Sequence, residues 1–161
     1  MGFEALSLAG SSRNLIGYCG LYCGACGIFQ GKIKQAVENL QEVIGAYGFD
    51  KMMPELAKWE PSLQHYPEFE KVMGGLVTLF GQCPACAGGG GDPTCAVREC
   101  CKQKGHTICI QCGEMDDCKT LERYPWARKQ LQKIEAVGFD NWVEEMQKRV
   151  SAGYCSLDEK V

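Results

Sequence analysis

Two C-x2-C pairs, Cys83-Pro-Ala-Cys86 and Cys109-Ile-Gln-Cys112, stand within one stretch of chain that also carries Cys95, Cys100 and Cys118. Each pair can wrap one ion through both sulfurs, and two pairs, or a pair and two single cysteines, complete the four-thiolate tetrahedral shell of a closed zinc site. A third group, Cys19-Gly-Leu-Tyr-Cys23-Gly-Ala-Cys26, has C-x3-C-x2-C spacing with glycines that permit the tight turns such a knuckle needs. The predicted metal ligands are therefore Cys19, Cys23, Cys26, Cys83, Cys86, Cys95, Cys100, Cys109, Cys112 and Cys118. Ten thiols exceed the eight of two four-cysteine sites and fall short of three, so about two zinc ions are expected.

Spacing leaves the pairing of sulfurs with ions open. One arrangement draws a site from Cys83, Cys86, Cys95 and Cys100, and a second from Cys109, Cys112, Cys118 and the N-terminal group. Cys101 directly follows Cys100 and Cys155 is isolated, which places both outside the metal sites. Cys101 is then the one candidate for a reactive thiol, with Lys102 and Lys104 close enough in sequence to lower its pKa. His106 lies between cysteines and is a candidate substitute ligand. His65 sits in a connector bounded by prolines and is not.

An iron-sulfur cluster is the alternative occupant, since it too is held by thiolates. The bacterial ferredoxin run is absent, however, and Cys83-Pro84 begins a pair rather than ending one. Radical S-adenosylmethionine enzymes share the C-x3-C-x2-C spacing but need a larger strand-helix scaffold than this chain offers. Gly88 to Gly91 precede no Lys-Ser or Lys-Thr, so they read as a turn and not a phosphate cradle. Neither a Ser-His-Asp set nor a His-rich zinc pattern is present, and the reading leans away from an enzyme.

Twelve cysteines occur in 161 residues. The first residues carry Glu4 where an export signal would carry Lys or Arg, and their apolar stretch is broken by Ser7, Gly10 and Ser11. The expected compartment is thus the reducing cytoplasm, where stable disulfides are uncommon and clustered thiols bind metal. No apolar run approaches the roughly 20 residues of a membrane-spanning helix.

The formal charge of -3 supplies no basic field. Eight thiolates on two zinc ions would take it to -7. Across residues 82–118, Arg98, Lys102 and Lys104 face Asp92, Glu99, Glu114, Asp116 and Asp117. A zinc-stabilised nucleic-acid-binding protein, the second alternative, would lack the usual basic footprint. The leading expectation is a structural-zinc protein that serves as a protein-interaction module, with a thiol-redox or iron-sulfur protein as the alternative.

The elements that must position these thiols are helical. Phe29, Ile33, Val37, Leu40, Ile44 and Tyr47 recur at helical spacing up to Gly48. Asp50 caps a short second helix with Met52, Met53, Leu56 and Trp59 inward before Pro61. A third runs from Pro67 to Phe80, with Phe69, Val72, Met73, Leu76 and Leu79 inward. From Gly81 to Cys118 periodicity gives way to cysteine, glycine and proline, the pattern of a metal-organised set of turns. Two further helices follow, one with Trp126, Leu131, Ile134 and Val137 inward, the other with Phe139, Trp142, Val143, Met146 and Val150. No alternating run predicts a strand.

The fold expected is mostly α, a helical core with a small irregular cysteine-rich, zinc-knuckle-like insert at 82–118. Residues 1–17 read as a flexible extension and 18–155 as one domain. Aromatic rings beside the knuckle, Tyr18 and Tyr22, are expected to pack over its sulfurs.

The run Tyr18-Cys19-Gly-Leu-Tyr-Cys23-Gly-Ala-Cys26, the stretch from Cys83-Pro-Ala-Cys86 to Cys95-Ala-Val-Arg98-Glu-Cys100, and Lys104-Gly105 before Cys109-x2-Cys112 together resemble domain of unknown function 3795. That family comprises small cysteine-rich bacterial and archaeal proteins held to bind zinc, with no established activity. The resemblance covers roughly residues 17–150 and includes Gly138-Phe139-Asp140-x-Trp142. Gly27 stands where the family often has Pro, and Asp116-Asp117 where an aromatic-Pro pair precedes the last cysteine. The resemblance implies metal binding and assigns no catalytic residue.

Overall fold

The computed structural model describes residues 13–157. They form seven α-helices joined by short 3-10 turns, with no strand among the described residues. The chain divides into two compact bodies, one holding residues 31–83 and the other the flanking segments up to residue 30 and from residue 84. No described helix is long and apolar enough to cross a membrane.

The body of residues 31–83 contains α1 (Lys32–Ala46), α2 (Phe49–Leu56) and α3 (Tyr66–Phe80), with a 3-10 turn at Pro61–His65 before α3. Gly48 links α1 to α2 at φ 67, a left-handed conformation that lets the chain reverse between them. Pro54 lies inside α2, where it has no N–H to give to the carbonyl four residues back. His65 precedes α3 as its N-terminal cap residue.

Far less of this body is buried than the periodicity predicts. Val37, Tyr66 and Met73 are its buried apolar residues, whereas Leu40, Tyr47, Phe69, Val72 and Leu79 are exposed. Three helices, one of them only eight residues long, offer each other only narrow seams, so an apolar stripe wider than the seam stays in water. Trp59 is 88% exposed because α2 ends at Leu56 and the chain no longer follows its helical face there.

The other body is built on the hairpin of α6 (Pro125–Val137) and α7 (Phe139–Ser151), joined through Gly138 at φ 85. Ala127, Leu131 and Ile134 on α6, and Trp142, Val143 and Met146 on α7, form the centre of its core. Phe139 and Val150 pack partly buried against it. Trp126 and Val137, expected inward, are 50% and 40% exposed, since each lies at an end of α6 beyond the reach of its neighbours.

Residues 1–12 of the expected extension lie outside the described residues. Arg13–Leu15 form a 3-10 turn, and buried Ile16 makes an isolated antiparallel bridge to Tyr22. The cysteine-rich stretch is not turns throughout. It contains α4 (Ala96–Gln103), followed by a 3-10 turn at Cys109–Gln111 and the one-turn α5 (Lys119–Glu122). Helix α4 escapes periodicity counting because its buried face is Val97, Arg98 and Cys101, two of which register as polar or reactive and not as core.

Candidate metal centre

Two of the cysteine pairs fold alike. Cys23–Ala25 and Cys109–Gln111 are both 3-10 turns, each closed by a backbone bond of 2.9 Å from the second cysteine's N–H to the first cysteine's carbonyl. Such a turn brings the two sulfurs of a C-x2-C unit to one side of the chain. The Cys109 N–H also bonds the Tyr18 carbonyl at 2.9 Å, which sets the two cysteine segments side by side.

The second of these turns forms one wall of a recess lined by Cys100, Cys101, Cys109, Cys112 and Cys118, with His106, Lys104, Met115 and Leu121. Its empty volume is about 290 Å³, including space open to solvent. Helix α4 contributes Cys100 and Cys101, and Cys118 enters as the N-terminal cap residue of α5. Cys101 and Cys109 are buried and their sulfurs are 3.2 Å apart, while Cys100, Cys112 and Cys118 are half-buried.

Charge is arranged around these sulfurs in a definite order. The hydrogen bond between the two sulfurs lowers the Cys101 pKa and, together with burial, raises that of Cys109. Lys102 and Lys104 are not the cause. The Lys104 ammonium instead bonds the Cys112 sulfur at 3.4 Å and the Glu114 carboxylate at 2.6 Å. Glu114, followed by Cys112, holds the lysine's pKa up, and the lysine holds the Glu114 carboxyl below its usual range.

Another group of thiols gathers around the N-terminal turn. Burial pushes the Cys19 thiol up to about 11, the Leu21 N–H opposes this, and the neighbouring Cys86 and Cys95 sulfurs add to it. Ala85 adopts a left-handed φ of 63, rare for a residue with a side chain, and the next N–H, that of Cys86, bonds the Cys23 sulfur at 3.4 Å. Backbone donors to cysteine sulfur favour the thiolate that a metal requires. Cys19 is also close enough to Cys101 for its charge to be felt there, so the two groups adjoin.

Cys100 thus lies with Cys109, Cys112 and Cys118, and Cys19 lies with Cys86 and Cys95. Cys26 follows the first turn, half-buried. Cys83 is the last residue of the other body. Cys155 is buried, with its sulfur near the Gly27 backbone, where the Gln30 amide bonds the Gly24 and Tyr154 carbonyls and ties the C-terminal segment to the first turn. No cysteine is disulfide-bonded. Tyr22 packs edge-on against Trp142 and is close enough to Cys23 for that thiol's charge to act on its hydroxyl.

Of the two cysteines that spacing left out of the expected ligand set, Cys101 and Cys155, Cys101 lines the recess. Its signal was the i, i+4 pairing with Val97 on one helical face, which marks it as turned inward. The donor chemistry of the recess suits a soft or borderline metal ion, with five thiols and an imidazole on its walls. Among the described residues, no three His, Cys, Asp or Glu side chains are already drawn together as a coordinating group.

Residues 15–123 match the family model described as protein of unknown function, DUF3795, and the chain belongs to that family. No curated protein and no solved structure matches it.

Proposed function

From a family membership that carries no assigned activity, we propose that this protein is a metal-binding, metal-stabilised interaction module whose recess thiols hold structural zinc. One observation carries the reading: the side chains of Cys100, Cys101, Cys109, Cys112 and Cys118 line a single recess beside His106. Zinc suits such a donor set because thiolate and imidazole are its preferred ligands and a closed four-ligand shell is its structural mode. The ion, when bound, would supply cross-links between α4, the 109–112 turn and the start of α5. These elements are short, and their own helix propensity contributes little. The Cys19, Cys23, Cys86 and Cys95 group is the place for a second ion.

The chain's own residues prepare the recess for a cation. Cys101 has the lowered pKa of the buried pair, and Lys104 stands against the sulfur of Cys112, partly offsetting the negative charge that several thiolates would accumulate. A thiolate site of this kind belongs in a reducing compartment such as the cytoplasm. The interaction role is supported by the apolar side chains that the 31–83 body leaves exposed, among them Val43, Tyr47, Val72 and Leu79.

Elemental analysis and an absorption spectrum of protein purified without air test the metal reading. About two zinc ions per chain without a visible band are expected. Stoichiometric iron with a broad band near roughly 400 nm would replace zinc by an iron-sulfur cluster, and protein free of both metals that keeps its helical circular dichroism would end the structural-metal reading.

A further inference from the structure

The recess holds five cysteines, one more than a closed zinc shell uses. The question is which one stands outside. Sequence spacing rejects Cys101, because it follows Cys100 directly. The structure places the two differently. Cys101 is 2% exposed and packed in the core, with its sulfur 3.2 Å from that of Cys109, whereas Cys100 is half-buried. Both line the recess, but successive residues on a helix are turned by about 100°, so the two side chains leave α4 in different directions.

Distances decide what the close pair is fit for. Four sulfurs at about 2.3 Å from a tetrahedral zinc stand about 3.8 Å from one another, so Cys101 and Cys109 would separate by only about 0.6 Å to share an ion. A disulfide at about 2.05 Å would need them to approach by about 1.1 Å instead. Cys109 in turn is bound to Cys112 by the 3-10 turn between them, and Cys112 is the sulfur that Lys104 contacts.

We propose that Cys101, with Cys109, Cys112 and Cys118, completes a closed four-thiolate zinc site in the recess, that Lys104 is its outer-shell cation, and that Cys100 stands outside it. The proposal rests on the zinc reading above and names its ligands. Binding replaces four S–H bonds by four Zn–S bonds and releases up to four protons, with no oxidant or reductant required. Lys104 donates to the Cys112 sulfur and limits the net charge of -2 that four thiolates and one dication leave behind.

The full chain is loaded with cobalt(II) as a spectroscopic substitute for zinc, and binding is followed by the sulfur-to-cobalt charge-transfer and visible bands. Wild type, Cys100→Ser, Cys101→Ser and Lys104→Ala are compared. Cys100→Ser should match wild type, Cys101→Ser should lose the recess ion or bind it about 100-fold more weakly, and Lys104→Ala should weaken binding about 10-fold with the bands in place. Because Cys101 is buried, its substitution could unfold the body, so wild-type thiols are also alkylated with and without a zinc chelator and mapped by mass spectrometry. Cys101, Cys109, Cys112 and Cys118 should gain reactivity together when zinc is removed, and Cys100 should react equally in both states.

The reverse pattern, with Cys100→Ser losing the ion or Cys100 alone protected by zinc, overturns the ligand assignment and leaves the metal reading standing. A Cys101–Cys109 disulfide in protein purified with its metal overturns it as well. Failure of the wild-type chain to take up either metal overturns both.

Discussion

Tyr22 stands edge-on to Trp142, with ring centroids 5.8 Å apart and planes at 84°. The contact fastens the N-terminal cysteine turn to α7 and buries both rings in the same core. The indole Nε1 of Trp142 has no hydrogen-bond partner, so the ring contributes through area and shape while its N–H is a cost. Trp142→Phe is expected to destabilise by about 1–2 kcal/mol and Trp142→Ala by about 3–5 kcal/mol. Urea unfolding of the two variants checks this, and equal losses would mean that the indole N–H matters after all.

Arg98 is the buried charged residue of the described chain, on the inner face of α4. Its guanidinium donates to the Gly90 carbonyl at 2.7 Å and to the Asp92 carbonyl, clamping the glycine turn onto the helix. Arg98→Met keeps most of the side-chain volume and removes both bonds. The expected loss is about 2–3 kcal/mol, the usual range for hydrogen bonds from a charged donor to buried partners. Arg98→Lys should recover only part of it, because an ammonium cannot span two carbonyls as the planar fork does. Denaturant midpoints of both variants provide the measurement.

What the sequence displayed and what it concealed follow from how each residue is used. Helix α7 was legible because Trp142, Val143 and Met146 repeat on one face and Gly138 marks its start. The same rule over-assigned the core of α1 and α3, where Leu40 and Leu79 have the right spacing but stay exposed. Helix α4 was hidden because two of its three inward residues are an arginine and a cysteine. The clustering of Cys109 and Cys112 was legible from their spacing, since two intervening residues fix the turn locally. Cys101 was not, because its partner Cys109 is brought to it by packing, which spacing along the chain does not encode. The division at residues 31–83 was likewise silent, as neither end carries a proline-rich or charged linker.

Cys19 is expected to make the protein sensitive to alkali. Its folded pKa of about 11 lies above the 9.0 of an ordinary thiol, chiefly through burial, with the Cys86 and Cys95 sulfurs adding to it. Between these two values the unfolded chain has released the proton and the folded chain still holds it, so stability falls as pH rises. The contribution is fully present below about pH 9 and is lost progressively up to about pH 11, and it amounts to a few kcal/mol at most. Denaturation midpoints of chelator-treated protein from pH 8 to 11 should fall, and Cys19→Ala should flatten that fall. A rise in stability over the same window would contradict the burial of this thiol.

Gly20 lies in the turn that carries Cys19, at φ 83, and faces α6 directly. A methyl group there would meet Ile134 Cδ1 and Leu131 Cδ2, each at 3.1 Å, and both of those residues are fully buried and unable to give way freely. Gly20→Ala should therefore combine left-handed backbone strain of about 1–2 kcal/mol with overpacking of about 1–3 kcal/mol. Gly105 is the internal control: it has φ 70 in the same body with nothing within 4 Å of an added Cβ, so Gly105→Ala should show the strain alone. The difference between the two variants in urea unfolding measures how tightly the cysteine turn is seated on Leu131 and Ile134. If Gly20→Ala costs no more than Gly105→Ala, the turn is not held against α6, and the core that supports both groups of thiols is looser than its packing implies.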